Sequence, residues 1–165
     1  MGAFLSIVYP DLYRAGRTVF EKIISDPSQV KEGEAVLEVL KLWMSSFSGY
    51  GIISNCKTPL HRDNNSQGAW FDLLTTIGPY SGSRLILQNL GLELQYESGT
   101  MVAVLGRIVR HGTTDCNGSR VCIAQYMRDN VLDRFGIDSP GFVTVSHYMT
   151  SMQLDLFSQL ALQPS

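Results

Sequence analysis

Three histidines occur in this chain, and two of them stand where they could do chemistry. His61-Arg62-Asp63 sets an imidazole and a carboxylate at positions i and i+2. On an extended chain those positions face the same side, so both side chains can grip one metal ion from one strand end. His111 follows much later, at the end of another strand-like run. Two histidines and one carboxylate form the facial triad that suits non-haem Fe(II), leaving positions open for a cosubstrate and O₂. The same three residues could hold Zn²⁺ as a hydrolytic site, but that leaves Arg120 without a role. A lone His-Arg-Asp is more often a surface ion-pair cluster; the second histidine and Arg120 together turn the reading toward a metal. His147 belongs to no such pattern and reads as an ordinary histidine.

The Asn117-Gly118 dipeptide offers a test of geometry. A two-residue hairpin turn at these positions pairs Cys116 with Ser119 and places His111 opposite Ala124 and Asp115 opposite Arg120. Arg120 then projects from the same face as His111, about 13 Å along the strand. The two could hold opposite ends of a short dicarboxylate, one end at the metal and the other on the guanidinium, which suits a carboxylate bidentately. Other chemistries find no support. There is no GxSxG elbow, P-loop or GxGxxG. Cys122 has no visible orienting partner and reads as a small buried cysteine.

The elements that must position these residues follow from periodicity. The first 45 or so residues read as helical support. Pro10-Asp11 starts a helix with Leu12, Ala15, Val19 and Ile23 on one face, and Asp26-Pro27-Ser28 breaks it. A second helix is predicted from Gly33 to Met44, with Val36, Leu37, Leu40 and Trp43 as its apolar stripe. From about residue 50 to 130 the texture becomes short strands: Ile52–Ser54, Trp70–Ile77, Arg84–Leu87, Leu92–Tyr96, Met101–Leu105, Ile108–His111 and Arg120–Met127. Turn-forming residues separate them, which predicts a β-sandwich or barrel with the helices packed outside it. The segment 131–165 carries a helical turn or two at Val131–Phe135 and a helical pattern from about Val145 to Leu162.

Composition bounds the function. The chain has 165 residues, 44% apolar and 17% charged, with a net charge of −2. That suits one globular domain. It excludes a generally basic polymer-binder, so any contact with nucleic acid must be a local patch. Three cysteines without CxxC spacing argue against a disulfide scaffold and for a reducing, intracellular setting. No apolar run is long enough to span a membrane, and no secretory signal pattern is visible. Met1-Gly2 with Ser6 matches a myristoylation pattern, but Phe4 to Tyr9 reads better as an apolar segment for the core.

The run Asn55-Cys56-Lys57-Thr58-Pro59-Leu60-His61-Arg62-Asp63 resembles the core motif of the TET/JBP family of DNA-modifying dioxygenases, most of all the short forms of mushroom-forming fungi. The likeness continues through Trp70 to Gly78, Gly91-Leu92-Glu93-Leu94, Ser98-Gly99-Thr100, Gly106 and Val109-Arg110-His111-Gly112, and ends at Ala124-Gln125-Tyr126-Met127-Arg128-Asp129. It implies a mainly β, α+β architecture: a double-stranded β-helix (jelly-roll) core with flanking helices. It implies Fe(II) on His61, Asp63 and His111, 2-oxoglutarate on Arg120, and O₂ as co-reactant. The family reaction is oxidation of a methylated DNA base, chiefly 5-methylcytosine to 5-hydroxymethylcytosine and beyond. Similar fungal members act on N6-methyladenine as well. The resemblance further implies methylated DNA as the partner, a nuclear location, and base contacts from Ser66, Tyr126, Arg128 and Asp129. It names no protein partner.

Two positions depart from the family pattern. Cys56 stands where an arginine commonly precedes the first iron-binding histidine, and Cys122 stands where Arg-x-Ser/Thr usually supplies a hydroxyl. Both changes bear on cosubstrate binding. They favour an alternative: a catalytically weakened domain serving as a nucleic-acid or protein interaction module. A dioxygenase acting on RNA or on a protein is the third reading.

Overall fold

The structure, a computed structural model, describes residues 2–55, 57–146 and 149. It opens with helices α1 (Gly2–Val8) and α2 (Pro10–Ser25). Pro10 starts α2 where its missing N–H costs nothing, and Asp11 complements the positive end of the helix dipole. Leu12, Ala15, Val19, Phe20 and Ile23 recur every three or four residues and are all buried. At the break, the Asp26 carboxylate accepts bonds from the Ser28 backbone N–H and hydroxyl, which starts the turn at Pro27 instead of another helical turn.

Helix α3 (Gly33–Leu40) is shorter than the stripe of its sequence predicts. After Leu40 the chain turns so that the Trp43 indole N–H donates to the Phe47 carbonyl at 2.9 Å and the ring meets Tyr50 edge-on at 4.5 Å. These contacts of the Trp43 ring outweigh the apolar stripe, which would have carried the helix to Met44.

Ten strands follow: β1 (Gly49–Ser54), β2 (Thr58–His61), β3 (Asp72–Ile77), β4 (Tyr80–Ser81), β5 (Arg84–Leu87), β6 (Leu92–Gln95), β7 (Met101–Val104), β8 (His111–Thr113), β9 (Asn117–Gly118) and β10 (Val121–Tyr126). They form two antiparallel four-stranded sheets, ordered β1-β10-β3-β7 and β2-β8-β5-β6, plus the small β4-β9 pair. This is the mainly β, jelly-roll-like α+β architecture expected from the sequence.

Alternation divides the core in two. On β3, Leu73 joins Leu5, Tyr9, Leu12, Val19 and Phe20 in a cluster between sheet and helices. Its neighbour Leu74 points the other way and packs with Leu85, Leu87, Val104 and Cys122 between the sheets. The helices thus cover one outer face of the sandwich, and both faces of its central strands are buried. Helix α4 (Asp129–Arg134) adds Leu132 and Phe135 to the outer cluster. The Trp70 indole donates to the Pro140 carbonyl at 2.8 Å, and the Tyr9 hydroxyl donates to that of Gly141. These bonds tie the chain after α4 down onto the outer core. Most of the predicted helical pattern from Val145 to Leu162, and His147 with it, lies outside the described residues.

Two predicted elements are corrected. The run Ile108–His111 is not a strand: the backbone N–H groups of Ile108 and Val109 both donate to the Leu105 carbonyl, making a turn that tucks Val109 into the core. The strand begins only at His111. The Asn117-Gly118 hairpin is also absent. Those residues pair with Tyr80 and Ser81 as β9, and the chain crosses from the sheet of β8 to that of β10. His111 therefore faces His61 and Leu87, not Ala124. Gly118 has a positive φ of 106° and its α-carbon lies where a side chain would strike the Pro79 carbonyl, so this crossing needs its glycine.

Candidate metal centre and cosubstrate cradle

His61 and His111 are direct cross-strand partners at the ends of β2 and β8, and their rings stand 4.5 Å apart. Asp63 lies just beyond β2, where its backbone N–H donates to the Gly106 carbonyl at 2.9 Å. Its two carboxylate oxygens then reach the two histidines separately: Oδ1 is 3.4 Å from His61 Nε2, and Oδ2 is 3.5 Å from His111 Nε2. One ligand atom from each residue lies within 4.8 Å of the others.

The outer nitrogens fix the rings. His61 Nδ1 lies 2.8 Å from the Pro59 carbonyl, and His111 Nδ1 lies 2.9 Å from that of Val109. A carbonyl oxygen only accepts, so Nδ1 carries a hydrogen in both rings, and Nε2, which faces Asp63, is the nitrogen that can offer a lone pair to a metal. This is the tautomer and orientation metal-binding imidazoles take. Two neutral imidazole nitrogens and one carboxylate, with the ring nitrogens anchored from behind, fit an Fe(II) facial triad.

A second carboxylate, not singled out from the sequence, stands beside them. Asp72 opens β3 on its inner face and is 5% exposed. Burial pushes its carboxyl up to about 6; the Ser66 hydroxyl opposes this, the Asp63 charge adds to it, and Arg128 opposes it. Gly106 fits between the two aspartates. A Cβ there would lie 2.4 Å from Asp72 Oδ2 and 2.5 Å from Asp63 Oδ2. An acidic residue in a strand that holds no other charge is the signal in the sequence that could have revealed Asp72.

Arg120 enters the same interior from the other sheet. Its backbone is clamped by Asn55: the Arg120 N–H donates to Asn55 Oδ1 at 2.7 Å, and the Asn55 N–H donates to the Arg120 carbonyl at 2.8 Å. Asn55 holds a left-handed φ of 51°, which asparagine tolerates better than most residues. The Arg120 side chain is 2% exposed and donates to the hydroxyls of Ser83 and Thr113, the latter at 3.0 Å. Thr113 and His111 share a face of β8 two residues apart, roughly 6–7 Å along the strand. That is the reach of a five-carbon dicarboxylate, and it replaces the longer offset that the hairpin predicted. Nearby, the Tyr80 hydroxyl bonds the Tyr96 carbonyl at 2.7 Å and Thr76 Oγ1 at 2.9 Å. Burial raises the pKa of Tyr80 and Tyr96, so both phenols stay neutral. Around Arg120, hydroxyls thus come from other strands, while Cys122 sits 3.5 Å from the Tyr96 hydroxyl. Cys56 lies outside the described residues.

The four residues expected at the base fall at the site end of the barrel. Tyr126 lies at the end of β10, opposite Gly49, where any Cβ would strike its ring. The Arg128 guanidinium stacks 4.2 Å from the centre of that ring, and its buried Nη1 has no hydrogen-bond partner among the described residues. The Asp129 carboxylate accepts from Gln67 Nε2 at 2.7 Å and from the Ser139 hydroxyl at 3.1 Å. Ser66 is 4% exposed, and its hydroxyl donates to Asp72 Oδ2 at 2.7 Å. Arg128 and Asp129 line a cavity of about 440 Å³ with Asn65 and Asn130. A larger apolar cavity of about 590 Å³ lies among α2, α3 and α4, and none of the triad lines it.

Among the described residues, no helix is long and apolar enough to cross a membrane. No curated protein matches the chain. The family model for the Tet/JBP oxygenase domain of the 2OGFeDO superfamily matches residues 1–129. Fe(II), 2-oxoglutarate and O₂ are what that superfamily uses, and the donor set and the buried arginine described above fit the first two. The chain belongs to the Tet/JBP family of 2-oxoglutarate- and iron-dependent oxygenase domains.

Proposed function

We propose that this dioxygenase oxidises the methyl group of a methylated DNA base in the nucleus, 5-methylcytosine to 5-hydroxymethylcytosine and further, with N6-methyladenine as a second substrate. The observation that carries this reading is the arrangement inside one barrel. The His61-Asp63-His111 cluster lies between a buried arginine on one side and an aromatic-arginine pair on the other.

His61, Asp63 and His111 would hold the metal, and Arg120 would take the distal carboxylate of 2-oxoglutarate through charge-assisted bonds. Bound there, Fe(II) with O₂ and 2-oxoglutarate supplies the oxidant that turns a methyl C–H into C–OH while the cosubstrate leaves as succinate and CO₂. The chain's part is placement. The Nδ1 bonds keep both imidazoles aimed. Leu74, Leu85, Leu87 and Val104 keep water from the interior. A flipped base would stack on Tyr126, and the unpaired Arg128 Nη1 would donate to its edge. Asp129 and Ser66 complete the pocket.

The Cys56 and Cys122 departures favour the second reading, a weakened domain that only binds. One experiment separates the two. Protein reconstituted with Fe(II), 2-oxoglutarate and O₂ is given methylated duplex, with His111→Ala as control, and succinate and oxidised bases are measured by mass spectrometry. His111-dependent oxidised 5-methylcytosine or lost N6-methyladenine supports the proposal and names the base. Succinate without base oxidation assigns another substrate, and neither product refutes the enzyme reading.

A further inference from the structure

The chain is acidic overall, yet its charge is unevenly spread. The end of the barrel that carries the metal cluster is built from the loops 62–71, 88–91 and 105–110 and the segment that follows β10. On the three loops the exposed charged residues are Arg62, Arg107 and Arg110, while the segment after β10 exposes Asp133, Arg134 and Asp138 in and beyond α4. Asp63 and Asp129 are only partly exposed and face the site or Gln67 and Ser139. At the opposite end the exposed charges are Lys57, Glu97 and Asp115, with Lys57 and Asp115 paired at 3.7 Å.

The loops brace the guanidinium groups of Arg62 and Arg107 and the backbone of Arg110. Arg62 Nε donates to the Ile108 carbonyl at 3.1 Å, and Arg107 Nη1 donates to the carbonyl of Asn64. The Arg110 backbone N–H donates to Asn89 Oδ1 at 2.6 Å, while Asn89 Nδ2 donates to the Ile108 carbonyl at 3.0 Å. Loops 62–66, 88–91 and 105–110 are thus stitched into one rim around the mouth. Each guanidinium has five N–H donors, so bracing a carbonyl leaves most of them pointing outward. Two braced guanidinium groups beside a third on a fixed backbone suit phosphodiester oxygens, which arginine takes through paired bonds.

We propose that Arg62, Arg107 and Arg110 form a phosphate-gripping rim that holds the nucleic-acid backbone while a base enters the metal site. The proposal rests on the reading that the substrate is a DNA base. It also reconciles an acidic chain with a polyanionic partner, because the grip is local.

The test measures binding of the full chain to an unmethylated duplex by fluorescence anisotropy across a salt series, so that it does not depend on base oxidation. Neutralising all three arginines (Arg62→Gln, Arg107→Gln, Arg110→Gln) should flatten the dependence of log K on log salt by about 2.7. That is a roughly 40-fold smaller change in affinity between about 50 and 200 mM salt. The corresponding triple lysine variant keeps the charge and should keep the slope. If the triple glutamine variant unfolds early, Arg110→Gln alone serves, since the Arg110 side chain makes no hydrogen bond among the described residues. It should flatten the slope by about 0.9. An unchanged slope in a folded glutamine variant, or no salt-dependent binding by the unaltered chain, overturns the rim. Base oxidation by a chain whose rim variants bind normally would leave the enzyme reading standing and sink only this one.

Discussion

Gly106→Ala tests the site with a single methyl group. The added Cβ would stand 2.4 Å from Asp72 Oδ2 and 2.5 Å from Asp63 Oδ2. Ordinary contact begins near 3.4 Å, so each carboxylate must retreat by about 1 Å. The backbone cannot part to make room, because the Gly106 carbonyl holds the Asp63 N–H at 2.9 Å. Without metal, the carboxylates can rotate away, and the fold should lose no more than the ~1–3 kcal/mol of a tight overpacking. With metal, Asp63 must return to a ligand position that tolerates only about 0.2 Å, and a 1 Å misplacement costs on the order of 100-fold. Metal-dependent stabilisation should therefore fall from roughly 2.7 to about 0.4 kcal/mol at a metal concentration about 100 times the unaltered Kd. The assay is Mn(II) or Co(II) titration followed by calorimetry and by the shift in thermal unfolding, run on both proteins. Unaltered metal affinity in a folded Gly106→Ala protein would refute the placement of Asp63 as a ligand wedged by Gly106.

Two further outcomes follow from described contacts. Arg120→Gln should leave Mn(II) binding intact but weaken 2-oxoglutarate binding to the metal-loaded protein by about 2–5 kcal/mol, the cost of losing one partner of a buried charged pair; calorimetry with 2-oxoglutarate reads this directly, and wild-type affinity would remove Arg120 from the cradle. Burial, with the Asp11 charge adding, pushes the Tyr9 hydroxyl up to about 12, against an ordinary value of 10.0. Its folded-state pKa is raised, so the stability it contributes is whole below pH 10 and is lost as the pH climbs toward about 12. Tyr9→Phe should show a shallower alkaline decline in denaturant titrations across that window, and an identical decline would refute the assignment.

The candidate metal-binding group is legible in the sequence because its chemistry is written locally. His61 and Asp63 share one strand end, and His111 is one of only three histidines in the chain. The helices were legible from their stripes, and the sandwich from its short strands and turns. What failed was long-range pairing. Asn117-Gly118 carries the local signature of a hairpin, but a turn signal does not state which sheet receives the next strand. Here the chain changes sheets, and Arg120 still reaches the interior because both sheets face it. Arg120 thus shares an interior with Thr113 and His111 through a strand pairing other than the one the turn predicts. Ser83 and Thr113 left no mark in the sequence, because an ordinary hydroxyl becomes a ligand only when another strand delivers an arginine to it. Helix α3 ends early for a similar reason: the Trp43 ring bonds the Phe47 carbonyl and packs on Tyr50 of β1, contacts that helical periodicity does not report.

The strand that bears His61 is the outermost of its sheet and pairs with β8 alone. Its register is pinned only at Thr58↔Thr113 and His61↔His111, with an irregularity between them. A metal shared by His61 and His111 would therefore act as a rivet through the last seam of the barrel. Occupancy of the site and closure of that seam become one equilibrium, so iron supply would govern how much of the chain is sealed as well as how much is active. Pro59 already blunts this margin by removing an N–H that a stray strand could use. A chain stripped of its ion would still offer the remaining groups of that margin to its neighbours. Chelator during purification should accordingly yield self-association ahead of clean apoprotein, and restoring the ion should reverse it.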